Sequence, residues 1–208
     1  MTGTWPIISE PSAGVHPQQG RATGVIAVGS VCGLAWAASL RGWMVQVAGQ
    51  DSSFTWVGTF ALILLPGAVV GALLGWAEHL RRTGGLAGTR QRWLVASPVL
   101  LAVALFDPAI FRALLATGQG GGALGVVLIG LTGGYALSRR GPRGARIVSG
   151  LVAVLLSVGC GLVAVGHAPL TTAQGAWVAV QVISLMAVLC VACSIPHRTS
   201  PALTAGPH

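Results

Sequence analysis

Long apolar stretches separated by short polar connections dominate the chain. A stretch of about 20 apolar residues can cross a bilayer as a helix, which satisfies its own backbone groups in lipid. The pattern therefore predicts an all-α fold, a polytopic transmembrane helix bundle of about six spans that fills residues 22–196. The predicted spans cover residues 23–47, 54–79, 93–116, 121–138, 147–166 and 174–195, of which the third and fourth are the least regular.

The composition indicates that the solvent for most of the chain is lipid. Only 8% of the 208 residues are charged, whereas 53% are hydrophobic, and ordinary soluble domains carry about a quarter charged residues. The net charge of +8 is for this reason not interpreted as a nucleic-acid footprint. The basic side chains are all arginine, and lysine and asparagine are absent, which indicates a GC-rich genome.

The arginines predict how the spans are oriented. They cluster in the connection after span two, in the connection after span four and behind span six, and the opposite loops carry almost none. By the positive-inside rule both termini are cytoplasmic, which agrees with an even number of spans. Residues 1–21 and 197–208 are polar and are predicted to be disordered cytoplasmic tails, and the first lacks the features of a cleaved signal peptide.

Glycines four residues apart predict close contacts between helices. Span two carries Gly67, Gly71 and Gly75, and span one carries Gly29 and Gly33. Such spacing lets backbones approach closely where lipid gives no hydrophobic incentive to associate. We expect packing within one bundle, and the alternative is a homodimer through span two.

The polar segment "SLRGWMVQVAGQDSSFTWVGTF", residues 39–60, interrupts this apolar pattern. If span one starts near Gly24, Arg41 lies about 25 Å along its axis, close to the far edge of the hydrocarbon core. Trp36, Trp43 and Trp56 suit an outer aromatic belt. Arg41 then either extends to the outer headgroups or forms one wall of an outward-facing polar pocket.

Asp107 is the second unusual position. It follows Arg92 by only 15 residues, too few for a complete crossing at about 1.5 Å each. Pro108 suits the first position of a helix, so span three either breaks at Phe106 or continues as one kinked helix. An ionisable group at this depth is costly unless paired, and Arg41 and Arg112 are the candidate partners.

These features give three functional hypotheses. Arg41, Asp51, Asp107, Arg112 and Gln181 are the candidate ligand-binding residues, and they would converge in a pocket that binds or transports a small molecule or amphiphile. Asp107 and Asp51 are alternatively the catalytic acids of an intramembrane enzyme acting on a lipid or isoprenoid, similar to a terpenoid cyclase. The third hypothesis, suggested by the glycine faces, is a passive subunit or scaffold for another membrane protein. Its polar residues would then be structural ion pairs, and no pocket would exist.

Metal and cofactor chemistry has no visible ligand set in the sequence. Cys190 and Cys193 form a CxxC near the cytoplasmic end of span six, where no second pair completes a zinc site. We interpret these cysteines as packing residues. No cofactor and no metal are expected.

The stretches "GLAWAASLRGWMVQVAG", "TWVGTFALILLPGAVVGALLGWAE" and "GGGALGVVLIGLTGGYALSRRG" resemble small polytopic membrane proteins of actinobacteria that have no assigned function. The resemblance covers most of the predicted membrane region. It implies a multi-pass protein of the plasma membrane, and it carries no catalytic residue over to this chain.

Overall fold

The computed structural model describes residues 17–49, 54–117, 121–167 and 169–198, and all of its regular elements in these ranges are helices. Seven α-helical segments and two 3₁₀ helices follow one another along the chain. They are α1 (Pro17–Ala48), α2 (Trp56–Arg82), α3 (Gly88–Val95), a long 3₁₀ helix (Ser97–Phe106), α4 (Pro108–Thr117), α5 (Gly121–Leu137), α6 (Arg143–His167), α7 (Ala173–Cys193) and a short 3₁₀ helix (Ile195–His197).

The first helix begins earlier than the sequence suggests. α1 starts at Pro17, five residues before the expected boundary of the helical region at residue 22, and proline is favoured in a first helical turn because its missing N–H has no partner there. Residues 1–16 and 199–208 lie outside the described residues, so disorder of the two tails stays a prediction. At the other end, the short 3₁₀ helix Ile195–His197 extends one residue into the predicted tail.

The second helix changes its winding in the middle. Its first nine residues, Trp56–Leu64, form a π-helix, and the α-helical winding starts at Leu65. The Thr55 side chain caps the start by accepting the Gly58 N–H at 3.0 Å. The change falls next to Pro66, which has no N–H to donate to the preceding turn.

The third predicted span is broken. The 3₁₀ helix Ser97–Phe106 and the following helix are bent by 94° at Asp107, whose extended backbone (φ −72°, ψ 120°) ends the first of them. Of the two alternatives for span three, the break before Pro108 is therefore correct. A 3₁₀ helix rises about 2.0 Å per residue, so its ten residues extend about 20 Å, further than the α-helical rise allows. This longer rise compensates for the short sequence between Arg92 and Asp107.

Among the described residues, four helices are long and apolar enough to cross a membrane, or five if the bent pair is one span. The four are α1, α2, α6 and α7, and α5 is a shorter apolar helix of 17 residues. Six spans and the cytoplasmic location of both termini therefore stay predictions.

The glycines of α1 and α2 face each other across a very close crossing. A Cβ added at Gly71 would lie 2.8 Å from the Gly33 Cα, and one added at Gly75 would lie 2.6 Å from the Val25 carbonyl oxygen. Glycine is needed on both sides because any side chain would meet backbone atoms. The two helices therefore form one tightly joined pair within a single chain.

The core of the bundle lies where α5 and α7 pack against this pair. Its buried side chains include Leu74 of α2, Ile129 of α5 and Val182 of α7. Cys193 is 4% exposed and lies against Gly130, while the Cys190 thiol contacts Gly133 and the Ile129 carbonyl oxygen. These contacts agree with the interpretation of both cysteines as packing residues.

One end of the bundle is formed by the ends of α2 and α3 and by the short C-terminal 3₁₀ helix. Leu80 and Leu94 share a small hydrophobic cluster that Ile195 also joins. The Gln91 amide donates to the Pro196 carbonyl oxygen at 2.8 Å. The end of α2, all of α3 and the end of α7 are therefore neighbours.

The connection from α5 to α6 lies at this same end. The Tyr135 ring meets the His197 ring edge-on at 6.0 Å between centroids, and Arg146 donates to the Ala136 carbonyl oxygen. This region, which we call the basic end, holds ten of the twelve arginines of the chain. They are Arg21, Arg81, Arg82, Arg90, Arg92, Arg139, Arg140, Arg143, Arg146 and Arg198.

Candidate functional site

Three hydrogen bonds made by side chains join α1 to α7. The Gln46 amide donates to the Gln181 side-chain oxygen at 2.9 Å, and Gln181 in turn donates to the Ser39 carbonyl oxygen at 3.2 Å. The Trp36 indole donates to the Leu185 carbonyl oxygen at 2.9 Å. Gln181 thus serves as a bridge between two helices rather than as an open polar group.

Arg41 lies on the same part of α1 but has a different environment. Its side chain is buried, with 8% of the residue exposed, and its guanidinium carbon lies 4.4 Å from the centroid of the Phe54 ring. Such a cation–π contact stabilises an arginine that has left water. Arg41 therefore packs against the start of α2 instead of extending outward.

Asp107 and Arg112 lie at the break of the third predicted span, and both are exposed. The Asp107 carboxylate accepts the Ile110 N–H at 3.4 Å, and its carbonyl oxygen accepts the Phe111 N–H. Asp107 thus caps α4, as the sequence suggests for an aspartate before a proline. Asp51 lies outside the described residues, and its predicted part in the pocket stays a prediction.

A cavity of about 610 Å³ occupies the bundle beside these groups. Its walls come from α1, the π-helical start of α2, the long 3₁₀ helix, α5, α6 and α7. These walls are almost entirely apolar. The lining residues are Trp36, Ala37, Leu40, Trp43, Met44, Val47, Ala48, Leu62, Ile63, Leu101, Ala104, Gly121, Gly122, Ala123, Val126, Cys160, Val163, Val182 and Met186. The four described residues of the predicted polar pocket do not line it.

Two tryptophans of this wall occupy positions that the sequence did not indicate. Trp36 and Trp43 are partly buried against the core, whereas Trp56 is 81% exposed. The outer aromatic belt of Trp36, Trp43 and Trp56 stays a prediction, and burial separates the first two residues from the third. An indole suits either location because it has an apolar body and one polar N–H, so spacing alone could not separate them.

Trp43 carries a polar group without a partner. Its indole nitrogen is buried and makes no hydrogen bond within the described residues. A buried donor left unpaired costs about 1–3 kcal/mol. The nitrogen is enclosed by protein atoms, so Trp43 lines the cavity with the rest of its side chain.

The lining determines which molecules the cavity can hold. Cavities of about 300–1,000 Å³ with apolar walls and few polar groups are typical of small-molecule sites. A strongly polar solute would lose its hydration there without compensating hydrogen bonds. The cavity therefore suits an apolar or weakly amphiphilic molecule.

Together the fold and this cavity define an all-helical protein whose long apolar helices suit a membrane. Comparison with protein-family models, with curated proteins and with solved structures finds no match for this chain.

Proposed function

We propose that this chain is a multi-pass plasma-membrane protein of an actinobacterium that binds an apolar or weakly amphiphilic molecule in the cavity beside Trp36 and Trp43. The size and the almost entirely apolar lining of this cavity support the proposal most directly. An isoprenoid alcohol or a similar lipid has the required chemistry, with a long apolar body and one oxygen.

Six crossings with both termini in the cytoplasm are part of the proposal. The gathering of ten arginines at the basic end supports this orientation, because loops rich in arginine stay in the cytoplasm. α5 supplies one of the shorter crossings, since its 17 residues extend about 26 Å. The bent third segment supplies the other.

The orientation can be measured on intact cells with a thiol reagent that does not cross membranes. In a background without native cysteines, Arg112→Cys should react from outside, and Arg90→Cys should react only after lysis. Reaction of both positions from the same side would contradict the proposed crossing by the 3₁₀ helix between α3 and α4.

The enzyme hypothesis receives less support from the geometry. An acid catalyst must reach the bound substrate within hydrogen-bonding distance, and Asp107 is exposed at the cap of α4 rather than in the cavity wall. The hypothesis of a passive subunit was based on the glycine faces, and the glycines of α1 and α2 pack against each other within the chain. We therefore propose binding rather than catalysis.

Cavity-filling substitution tests the proposed site. Ala123 lines the cavity, and Ala187 of α7 is exposed and does not. Native mass spectrometry of the detergent-purified chain with added farnesol should detect one bound molecule in the wild type and in Ala187→Phe, but none in Ala123→Phe. Equal binding by the two variants would contradict binding in this cavity.

A further inference from the structure

A second cavity lies at the basic end, between the start of α1 and the end of α2. Its volume is about 430 Å³, and its lining consists of Arg21, Val25, His79, Arg82 and Thr83. Three of these five residues carry basic side chains. The antiparallel arrangement of the two helices brings them together from distant parts of the sequence.

The balance of charge around this cavity favours an anion. Glu78 is the acidic neighbour, and its carboxylate accepts two bonds from Arg81, each of 2.7 Å. Arg82 donates to it only through Nε, at 2.6 Å, and its side chain is 62% exposed. Arg21 makes no hydrogen bond or ion pair within the described part of the chain. Arginine charge thus exceeds the charge of the single carboxylate.

An apolar groove continues from this cavity along the bundle. The groove has a volume of about 340 Å³ and shares Val25 and Arg82 with the basic cavity. It extends along α1 to Trp36, with Val188 and Leu189 of α7 on its other side. A cationic cavity at the end of an apolar groove matches the two parts of a lipid.

The length of the groove fits one leaflet of a bilayer. Val25 and Trp36 are eleven residues apart, which corresponds to about 16.5 Å along the axis of α1. Half of a hydrocarbon core about 30 Å thick is about 15 Å. The glycines of the α1–α2 crossing form part of the floor of the groove.

We propose that this groove binds one anionic glycerophospholipid, with its phosphate beside Arg21, His79 and Arg82 and one acyl chain along α1. Basic pockets between membrane helices on the cytoplasmic side are suited to anionic headgroups. This site is separate from the cavity beside Trp43, and neither proposal depends on the other.

Lipid selectivity of the purified full-length chain tests the proposal. Native mass spectrometry would compare dioleoylphosphatidylglycerol with dioleoylphosphatidylcholine, which have the same chains and differ in net headgroup charge. One arginine near an anionic lipid contributes roughly fivefold in affinity. The preference should therefore fall roughly fivefold in Arg21→Gln and roughly 25-fold in Arg21→Gln/Arg82→Gln.

The matched control is Arg90→Gln/Arg92→Gln, which removes two exposed arginines from the same end of the bundle. Its preference for phosphatidylglycerol should equal that of the wild type. An equal loss in the control and in Arg21→Gln/Arg82→Gln would overturn the proposal, because general surface charge would then explain the preference. Arg21→Gln alone keeps the test decisive if the change at Arg82 disturbs Glu78 and the fold.

The groove has its own test. Cys32 lines the groove and is exposed. Cys32→Trp should therefore fill the groove and lower the affinity for both lipids by at least several-fold. Competition by glycerol 3-phosphate, which has the headgroup without chains, should be negligible at equal concentration. Unchanged binding by Cys32→Trp, or competition as strong as that of the lipid, would overturn the part assigned to the groove.

Discussion

The close crossing of α1 and α2 gives the most direct prediction of stability. We expect Gly71→Ala to destabilise the protein, because the added methyl would lie 2.8 Å from the Gly33 Cα and would also meet the Gly29 carbonyl oxygen. Ordinary contacts at such a Cβ begin at 3.4 Å. The helices must therefore separate by about 0.6 Å or more, since both neighbours are backbone atoms that cannot rotate away.

The magnitude follows from this separation. A gap of 0.5–1 Å forfeits about a quarter to a half of the dispersion energy of a contact, and overpacking of a tight interface typically costs about 1–3 kcal/mol. Replacing a helical glycine by alanine returns up to about 1 kcal/mol of intrinsic helix preference. We expect a net loss of about 1–2 kcal/mol in the free energy of unfolding.

The assay is reversible unfolding in detergent, followed by tryptophan fluorescence, with Gly125→Ala as the control. Within the described residues, no atom outside the local backbone of α5 lies within 4 Å of a Cβ added at Gly125, so this change should be neutral or stabilising. Equal behaviour of the two variants would refute the close crossing. If Gly71→Ala instead dissociated a dimer, seen by light scattering, without weakening the monomer, the glycines would serve the homodimer that the sequence left open.

Three further outcomes follow from contacts within the bundle. Gly134→Ala should lower the free energy of unfolding by about 1–3 kcal/mol, because its Cβ would meet the Cys193 backbone at 2.7 Å. Gly130→Ala should lower it less, since the nearest atoms to its Cβ are side-chain atoms from 3.3 Å outward. Unfolding of both variants in detergent compares them. Gln181→Leu should lower the free energy of unfolding by roughly 1 kcal/mol through its two lost interhelical hydrogen bonds, and the exposed Gln174→Leu should not. N-ethylmaleimide should modify Cys32 before Cys193, which is 4% exposed, and the reverse order, found by peptide mass mapping, would contradict the packing of α7 against α5.

The helices could be predicted from the sequence where the length of an apolar stretch is enough to identify a membrane-spanning helix. α1, α2, α6 and α7 satisfy the length criterion for a membrane span without reference to any other part of the chain. The break at Asp107 could be predicted only as one of two alternatives, because an Asp-Pro pair permits both a cap and a kink. The 3₁₀ winding before it had no local signal, since its apolar residues also suit an α-helix.

The site could be predicted less well, for a physical reason. Polar residues within apolar segments attract attention because burying them is costly, and Arg41 and Gln181 were identified in this way. Arg41 compensates for burial through the Phe54 ring, and Gln181 through bonds to α1. The cavity has apolar walls from six segments, and no sequence pattern reports how such walls fit together.

Trp36 connects the two proposed binding regions. Its ring lines both the cavity of about 610 Å³ and the apolar groove, and its N–H is fixed to the Leu185 carbonyl oxygen of α7. The Trp36–Leu185 hydrogen bond therefore holds this shared wall residue in place between the two proposed binding regions. It explains why an indole, with its apolar faces and single donor, suits the position where the two spaces adjoin.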